Sequence, residues 1–170
     1  MGLLEPHGRY RVRDGEAGVS TGRLAGIARH ARPRGPIETL EAVQVTVEGG
    51  LAGDFRGAVK PGGRGRRQVS LIEAKDWDAA MADLGQALPW SVRRANLLVE
   101  DFDLPQVPGT LLRIGQILLE ITQECDPCSR MEEVTPGLKA ALATDWRGGA
   151  LARVIEGGEI RTGDRIGVEE

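Results

Sequence analysis

Thr39-Leu40-Glu41-Ala42-Val43-Gln44-Val45-Thr46-Val47-Glu48 is the stretch whose reading decides the fold. Val43, Val45 and Val47 alternate with Gln44, Thr46 and Glu48, the period-two pattern of a strand with one dry face and one wet face. Residues 68–73 continue the pattern through Val69 and Leu71, and further strands are expected at 96–100, 111–114, 116–123, 150–155 and 165–168. The chain's 24 glycines separate these stretches, with Gly115 and Gly157-Gly158 placed as turns. Strands in this number are enough to close a sheet, so the expected fold is mainly β, compact and barrel-like, with a few short helices.

Two helices interrupt the pattern. Over 74–84 the apolar residues Ala74, Trp77, Met81 and Leu84 recur three or four apart, which gives one buried stripe, and Gly85 is suited to end it. Thr135 as N-cap and Pro136 at the first helical position predict a second, burying Leu138, Ala141 and Leu142. Residues 1–20 lack periodicity and read as an N-terminal arm, leaving 21–170 as one domain.

Composition narrows the function. The 170 residues carry 28% charged side chains but a net charge of only -3, so no global basic field exists to hold nucleic acid or an anionic membrane. Aromatic residues make up 4%, too few for a base-stacking platform along a strand of nucleic acid. No run of ~18 apolar residues suits a membrane span, and the N-terminus has no signal-peptide pattern. The chain therefore reads as cytoplasmic, with both cysteines reduced.

Those cysteines stand in Cys125-Asp126-Pro127-Cys128, directly after a predicted strand. Ser129-Arg130-Met131-Glu132 fits a capping box, so a short helix is expected to begin there with Cys128 just before it. Backbone N–H groups and the helix dipole would favour a thiolate at that point, making Cys128 the better nucleophile or metal ligand. A zinc site lacks ligands, since the imidazoles, His7 and His30, lie far away in the chain. A thioredoxin-like dithiol would need alternating strands and helices that the pattern does not supply. An inert buried pair is the plain alternative, against which Asp126 and Pro127 argue for a polar turn.

Two further features suggest an anion. The loop 53–67 carries Arg56, Lys60, Arg64, Arg66 and Arg67 against Asp54 alone, among glycines that let backbone N–H groups approach an oxyanion. A solvated loop would explain it as well, and no Gly-Lys-Ser/Thr follows to make it a P-loop. Arg94 and Asn96, two apart in an expected extended segment, would present a guanidinium and a carboxamide to the same side.

Taken together, Gly53-Asp54, Arg67-Gln68-Val69-Ser70-Leu71, Arg94-Ala95-Asn96-Leu97, Pro108-Gly109 with Arg113-Ile114-Gly115, Pro127-Cys128, and Gly157-Gly158-Glu159-Ile160 with Gly163-Asp164 resemble, in order and spacing, the MOSC family related to the C-terminal part of molybdenum cofactor sulfurases. The similarity runs from about Gly22 to Val168. It implies a pocket for molybdenum cofactor (molybdopterin) or an anionic sulfur-bearing ligand, with Arg67, Arg94 and Asn96 as polar pocket residues. It also implies Cys128 as the family's cysteine, proposed in relatives to carry a persulfide or to ligate molybdenum. Some members reduce N-hydroxylated bases. Many relatives have a histidine soon after the Gly-Asp pair, where this chain has Phe55-Arg56, and Cys125 is an additional thiol. The pyridoxal phosphate domain of fused sulfurases has no room in 170 residues, so sulfur transfer would need a partner such as a cysteine desulfurase, and redox turnover an electron-transfer partner. A pure anion-binding module with idle thiols is the third expectation.

Overall fold

A computed structural model describes residues 22–170. The expected arm at 1–20, and His7 within it, lie outside the described residues. The chain forms β1 (Arg23–Arg29), β2 (Glu38–Leu40), β3 (Ala42–Thr46), β4 (Gly50–Leu51), β5 (Val69–Glu73), α1 (Ala74–Leu84), a 3-10 turn (Trp90–Arg93), β6 (Leu97–Glu100), β7 (Leu111–Ile114), β8 (Ile117–Glu124), α2 (Ser129–Val134), α3 (Leu138–Leu142), β9 (Ala150–Glu156), β10 (Gly158–Arg161) and β11 (Ile166–Glu169). The mainly-β class is as expected. The strands form an eight-stranded sheet in the order β11-β7-β8-β9-β5-β6-β1-β2 and a three-stranded sheet β10-β3-β4. Among the described residues only β5 and β6 pair in parallel, the crossover being α1 and the segment after it. No closed ring of strands is present among the described residues, although an isolated bridge between Arg23 and Arg165 stitches the start of β1 to the approach to β11.

The alternation read at 39–48 is real but interrupted. The chain bends at Glu41, so the expected single strand is two, and β3 buries Val43 and Val45 but stops at Thr46, leaving Val47 43% exposed in the turn that follows. Gly157-Gly158 is not a plain turn either, because Gly158 opens β10, which pairs with β3. β1 has no legible alternation: its sequence Arg-Leu-Ala-Gly-Ile-Ala-Arg is buried on both sides between β2 and β6, and a register shift between Leu24 and Gly26 breaks the period of two.

The large sheet divides two cores. Val69, Leu71, Leu97 and Val99 face Val43, Val45, Leu51 and Ile160 of the small sheet. On the opposite face Ile72 and Leu98 pack with Trp77, Ala80 and Met81 of α1, Met131 of α2 and Leu138 and Leu142 of α3. Because strand side chains alternate, Ser70, two residues before Ile72, points to this helix-bearing face. α1 has the expected bounds and ends on Gly85 in the left-handed region (φ 63°), whose N–H bonds Ala82 O. The second predicted helix starts later than expected. Gly137, not Thr135, precedes α3, and the reason is Glu132: its carboxylate accepts from the N–H groups of Gly137 (2.9 Å) and Lys139 (3.3 Å), so it caps α3 instead of reaching back to close a capping box on α2. Among the described residues no helix is long and apolar enough to cross a membrane.

Candidate functional site

The end of β1, the start of β6, the loop after β4 and the loop between β8 and α2 converge on the helix-bearing side of the large sheet. They enclose a cleft of about 320 Å³. Its walls carry six arginines (Arg34, Arg56, Arg67, Arg93, Arg94 and Arg130), one carboxylate (Asp54), His30 and both cysteines. The long-range juxtaposition expected from the sequence is therefore present: Arg67, Arg94, Asn96 and Cys128 all line one cavity.

They do different work there. Cys128 is exposed and immediately precedes α2, as expected, with its carbonyl accepting from Met131 N at 2.9 Å. Cys125 is buried, and its backbone N–H donates to Gly149 O at 2.8 Å. Arg93 explains that burial: its Nη2 donates to Cys125 O (3.0 Å), Cys125 Sγ (3.2 Å) and Gly148 O (2.9 Å). A buried guanidinium thus ties the 3-10 turn to the cysteine loop, and Arg93 is committed to the protein rather than to a ligand. Gly149 lets the chain come this close, since at its φ of 101° a Cβ would stand 1.9 Å from Leu71 O.

Arg94 is not extended, contrary to the sequence reading. At φ 66° it caps the 3-10 turn, and the same-side relation with Asn96 arises from this left-handed residue rather than from strand alternation. Its Nη2 donates to Gly35 O at 2.8 Å. Asn96 is buried, and its carboxamide is engaged: Nδ2 donates to Ala28 O (3.1 Å), and Oδ1 accepts from Ser70 N (2.9 Å) and Ser70 Oγ (3.2 Å). It locks β1, β5 and β6 together beneath the cleft. The side chain of Arg67 is exposed and, like that of half-buried Arg130, makes no hydrogen bond or ion pair with another described residue.

The cationic loop 53–67 does not act as one cradle. Arg56 and Arg67 face the cleft, whereas Arg64 and Arg66 line a separate groove with Glu120, Thr122 and Arg153. Buried Gln68 holds the loop in place: its Nε2 donates to Val47 O (2.8 Å) and Gly57 O (3.1 Å), and its Oε1 accepts from Val154 N (2.8 Å).

Electrostatically the cleft is short of negative charge. Burial, then the neighbouring Arg130 and Arg34 guanidiniums, work against the charge on Arg94 and lower its pKa. Asp54 gives little relief, because Oδ1 accepts from His30 N and Oδ2 from Arg56 N, each at 3.2 Å. His30, set aside on sequence grounds as too distant, leaves the end of β1 and enters the cleft beside Phe55, with ring centroids 6.1 Å apart. Burial first, and then Arg94, lower its pKa below the ordinary 6.5, which favours the neutral ring. Its buried Nδ1 has no hydrogen-bond partner among the described residues, Asp54 Oδ1 being 3.9 Å away. The parts played by Arg34, Arg93 and Arg130 are likewise not legible in the sequence, because they depend on which loops meet.

Comparison with known proteins bears on the fold and the family. The family model described as the MOSC domain matches residues 44–167, so His30 and Arg34 lie before the matched segment. Among solved structures, YuaD from Bacillus subtilis superposes with a TM-score of 0.68 at 18% identity, covering 87% of this chain and 96% of that one. YiiM from Escherichia coli gives 0.63 at 15% identity, covering 87% and 70%, and YiiM from Geobacillus stearothermophilus gives 0.62 at 16%, covering 88% and 75%. A comparison with curated protein sequences returns no match. With the matched segment spanning most of the chain and the fold shared with these structures, the protein belongs to the MOSC domain family.

Proposed function

We propose that this cleft binds molybdenum cofactor, with Cys128 as a ligand to molybdenum and Arg67 and Arg94 holding the phosphate and pterin over a floor set by Asn96. The observation that carries the reading is the union, in one cavity, of an exposed thiol with six arginines, of which Arg34 pairs with Glu133 outside the wall at 3.5 Å, and a single, already engaged carboxylate in the wall itself. The donor set fits such a group. Guanidinium forks match phosphate oxygens, and a thiolate is a soft ligand suited to a metal held among sulfurs. Among the described residues no three His, Cys, Asp or Glu side chains gather to hold a metal ion, so a metal here must bring its other ligands with it.

When bound, the cofactor would supply a redox-active metal for reducing a small compound, N-hydroxylated compounds being the class suggested by the family, with electrons from a partner protein. The chain's own residues supply the rest. Arg67 and Arg130, uncommitted elsewhere, neutralise the anion; Arg93 fixes the cysteine loop; and the unpartnered His30 Nδ1 is placed to hold or release a proton inside the cleft. We read the two sheets around their shared core as the barrel-like body of the domain, and the free thiols as suited to a reducing compartment such as the cytoplasm.

The test is expression in a host that makes the cofactor, followed by metal analysis. Wild type should retain molybdenum and Cys128→Ala should not; equal molybdenum in the two would overturn the assignment of Cys128. A second reading is favoured by one observation, that two free thiols line the same cleft with only Cys128 exposed: Cys128 would carry a persulfide received from a cysteine desulfurase. Intact-mass measurement after incubation with such an enzyme should then show one added sulfur, absent in Cys128→Ala.

A further inference from the structure

The loop between β4 and β5 encloses a second cavity, of about 380 Å³, that shares Phe55, Arg56 and Arg67 with the arginine-rich cleft. The rest of its wall is Ala58, Val59, Gly63, Gly65, Gln68 and cationic Lys60 and Arg66, with no carboxylate. Phe55 stands where the two cavities meet. It is 44% exposed and is the one large aromatic residue among the exposed apolar side chains described, and the Arg56 guanidinium carbon lies 5.8 Å from its ring centroid. An exposed ring backed by a guanidinium offers a flat face for a planar heterocycle while neighbouring cations take an anion.

The platform is built before any ligand arrives. Phe55 N donates to His30 O at 2.7 Å, Arg56 N to Asp54 Oδ2, and Val59 N to Glu48 O at 3.0 Å. Gln68 grips the loop through Gly57 O, and Thr122 Oγ1 donates to Arg66 O at 2.6 Å, fixing the loop's far end to β8. Gly65, at φ 67°, packs so closely that an added Cβ would lie 3.0 Å from Gln68 Oε1 and 3.1 Å from Val59 Cγ2. The loop that composition alone would leave flexible is thus pinned at both ends.

We infer that this loop cavity is a nucleoside monophosphate subsite, with the phosphate between Arg56 and Arg67 at the junction of the two cavities and the base laid against Phe55 in the apolar pocket of Ala58 and Val59. Lys60 and Arg66 provide the surrounding positive field. The inference does not depend on what Cys128 holds. The nucleotide is either a free metabolite or the end of a longer ligand whose remainder fills the arginine-rich cleft, and both sources present the same phosphate and base here.

The experiment is calorimetric titration of the purified 170-residue protein with CMP, GMP, ribose 5-phosphate and inorganic phosphate. At least one nucleotide should bind about tenfold or more tightly than ribose 5-phosphate, the range given by stacking one base on an aromatic ring. Phe55→Ala should erase that preference and leave ribose 5-phosphate binding unchanged, whereas Arg67→Ala should weaken all the phosphates. Phe55 is exposed, so the variant's fold is checked by an unchanged urea midpoint. Nucleotides that bind no better than ribose 5-phosphate, or a preference that survives Phe55→Ala, would overturn the subsite. Mass analysis of small molecules released by denaturing protein from the cofactor-making host separates the sources: an intact mononucleotide supports the free metabolite, and a nucleotide covalently joined to a larger molecule supports the extended ligand.

Discussion

Replacing Asn96 by Asp changes one NH₂ group to oxygen and little else in shape, yet the bonding of this residue predicts a large effect. The Nδ2 donor to Ala28 O at 3.1 Å becomes an oxygen facing an oxygen, and the buried Ala28 carbonyl loses its side-chain donor. Leaving a buried group without that partner costs about 1–3 kcal/mol. The new carboxylate, at a site only 6% exposed, adds a desolvation cost that the donors Ser70 N and Oγ partly offset. A net loss of about 2–4 kcal/mol follows, which for a chain of this size lowers the melting temperature by roughly 5–15 °C. Because the folded state disfavours the ionised form, the introduced carboxyl binds its proton more tightly folded than unfolded. The destabilisation therefore grows as pH rises above the unfolded value of about 3.9 and shrinks below it. Urea denaturation followed by circular dichroism at pH 7 and pH 5 measures both parts. A wild-type midpoint at pH 7, or a loss that does not change with pH, would refute the reasoning and return Asn96 to a role in ligand binding alone.

Other consequences are independent of that clamp. Glu73 is buried at the start of α1, and burial raises its pKa to about 7 although Leu104 N donates to it at 2.8 Å, so wild-type stability should fall as pH rises from about 4.5 to about 7 and then level off. Glu73→Gln should remove that slope and be more stable than wild type by about 1–3 kcal/mol above pH 7, read from urea midpoints across this range. Native protein treated with iodoacetamide should be modified at exposed Cys128 and spared at buried Cys125, and Arg93→Met, which removes the guanidinium holding Cys125 O and Gly148 O, should open Cys125 to the reagent. Gly149→Ala should fail to fold or lose more than about 4 kcal/mol, since its Cβ would overlap Leu71 O, and the soluble yield and melting temperature would register it.

Local physics made much of the chain legible. α1 could be read to the residue because an apolar stripe, three to four apart, is closed by Gly85, and both signals are contained within the helix itself. β7 was visible for the same reason, its burial alternating along the strand, and β5 and β8 alternate over part of their length, β5 from Val69 to Leu71 and β8 from Leu119 to Thr122. Cys128 could be placed before a helix because Ser129 follows it within a few bonds, although the partner of Glu132 turned out to be the next helix. β1 escaped because a strand buried on both faces and interrupted by a register shift has no period of two, and with β1 went His30, whose position follows from where that strand ends.

The sequence by itself determined the mainly-β character, the position of α1 and the start of α2, the reactive-looking cysteine and the local excess of arginine in the loop before β5, since each depends on residues near one another along the chain. Only the tertiary structure decided how the arginines divide. Arg93 is spent on Cys125 and Gly148, Arg64 and Arg66 line another groove, and Arg67, Arg94 and Arg130 line the same cleft as Cys128. Charge composition is additive along a sequence, but a binding site depends on which guanidiniums are left unbonded and which way they point, and that is fixed by packing between segments up to about a hundred residues apart.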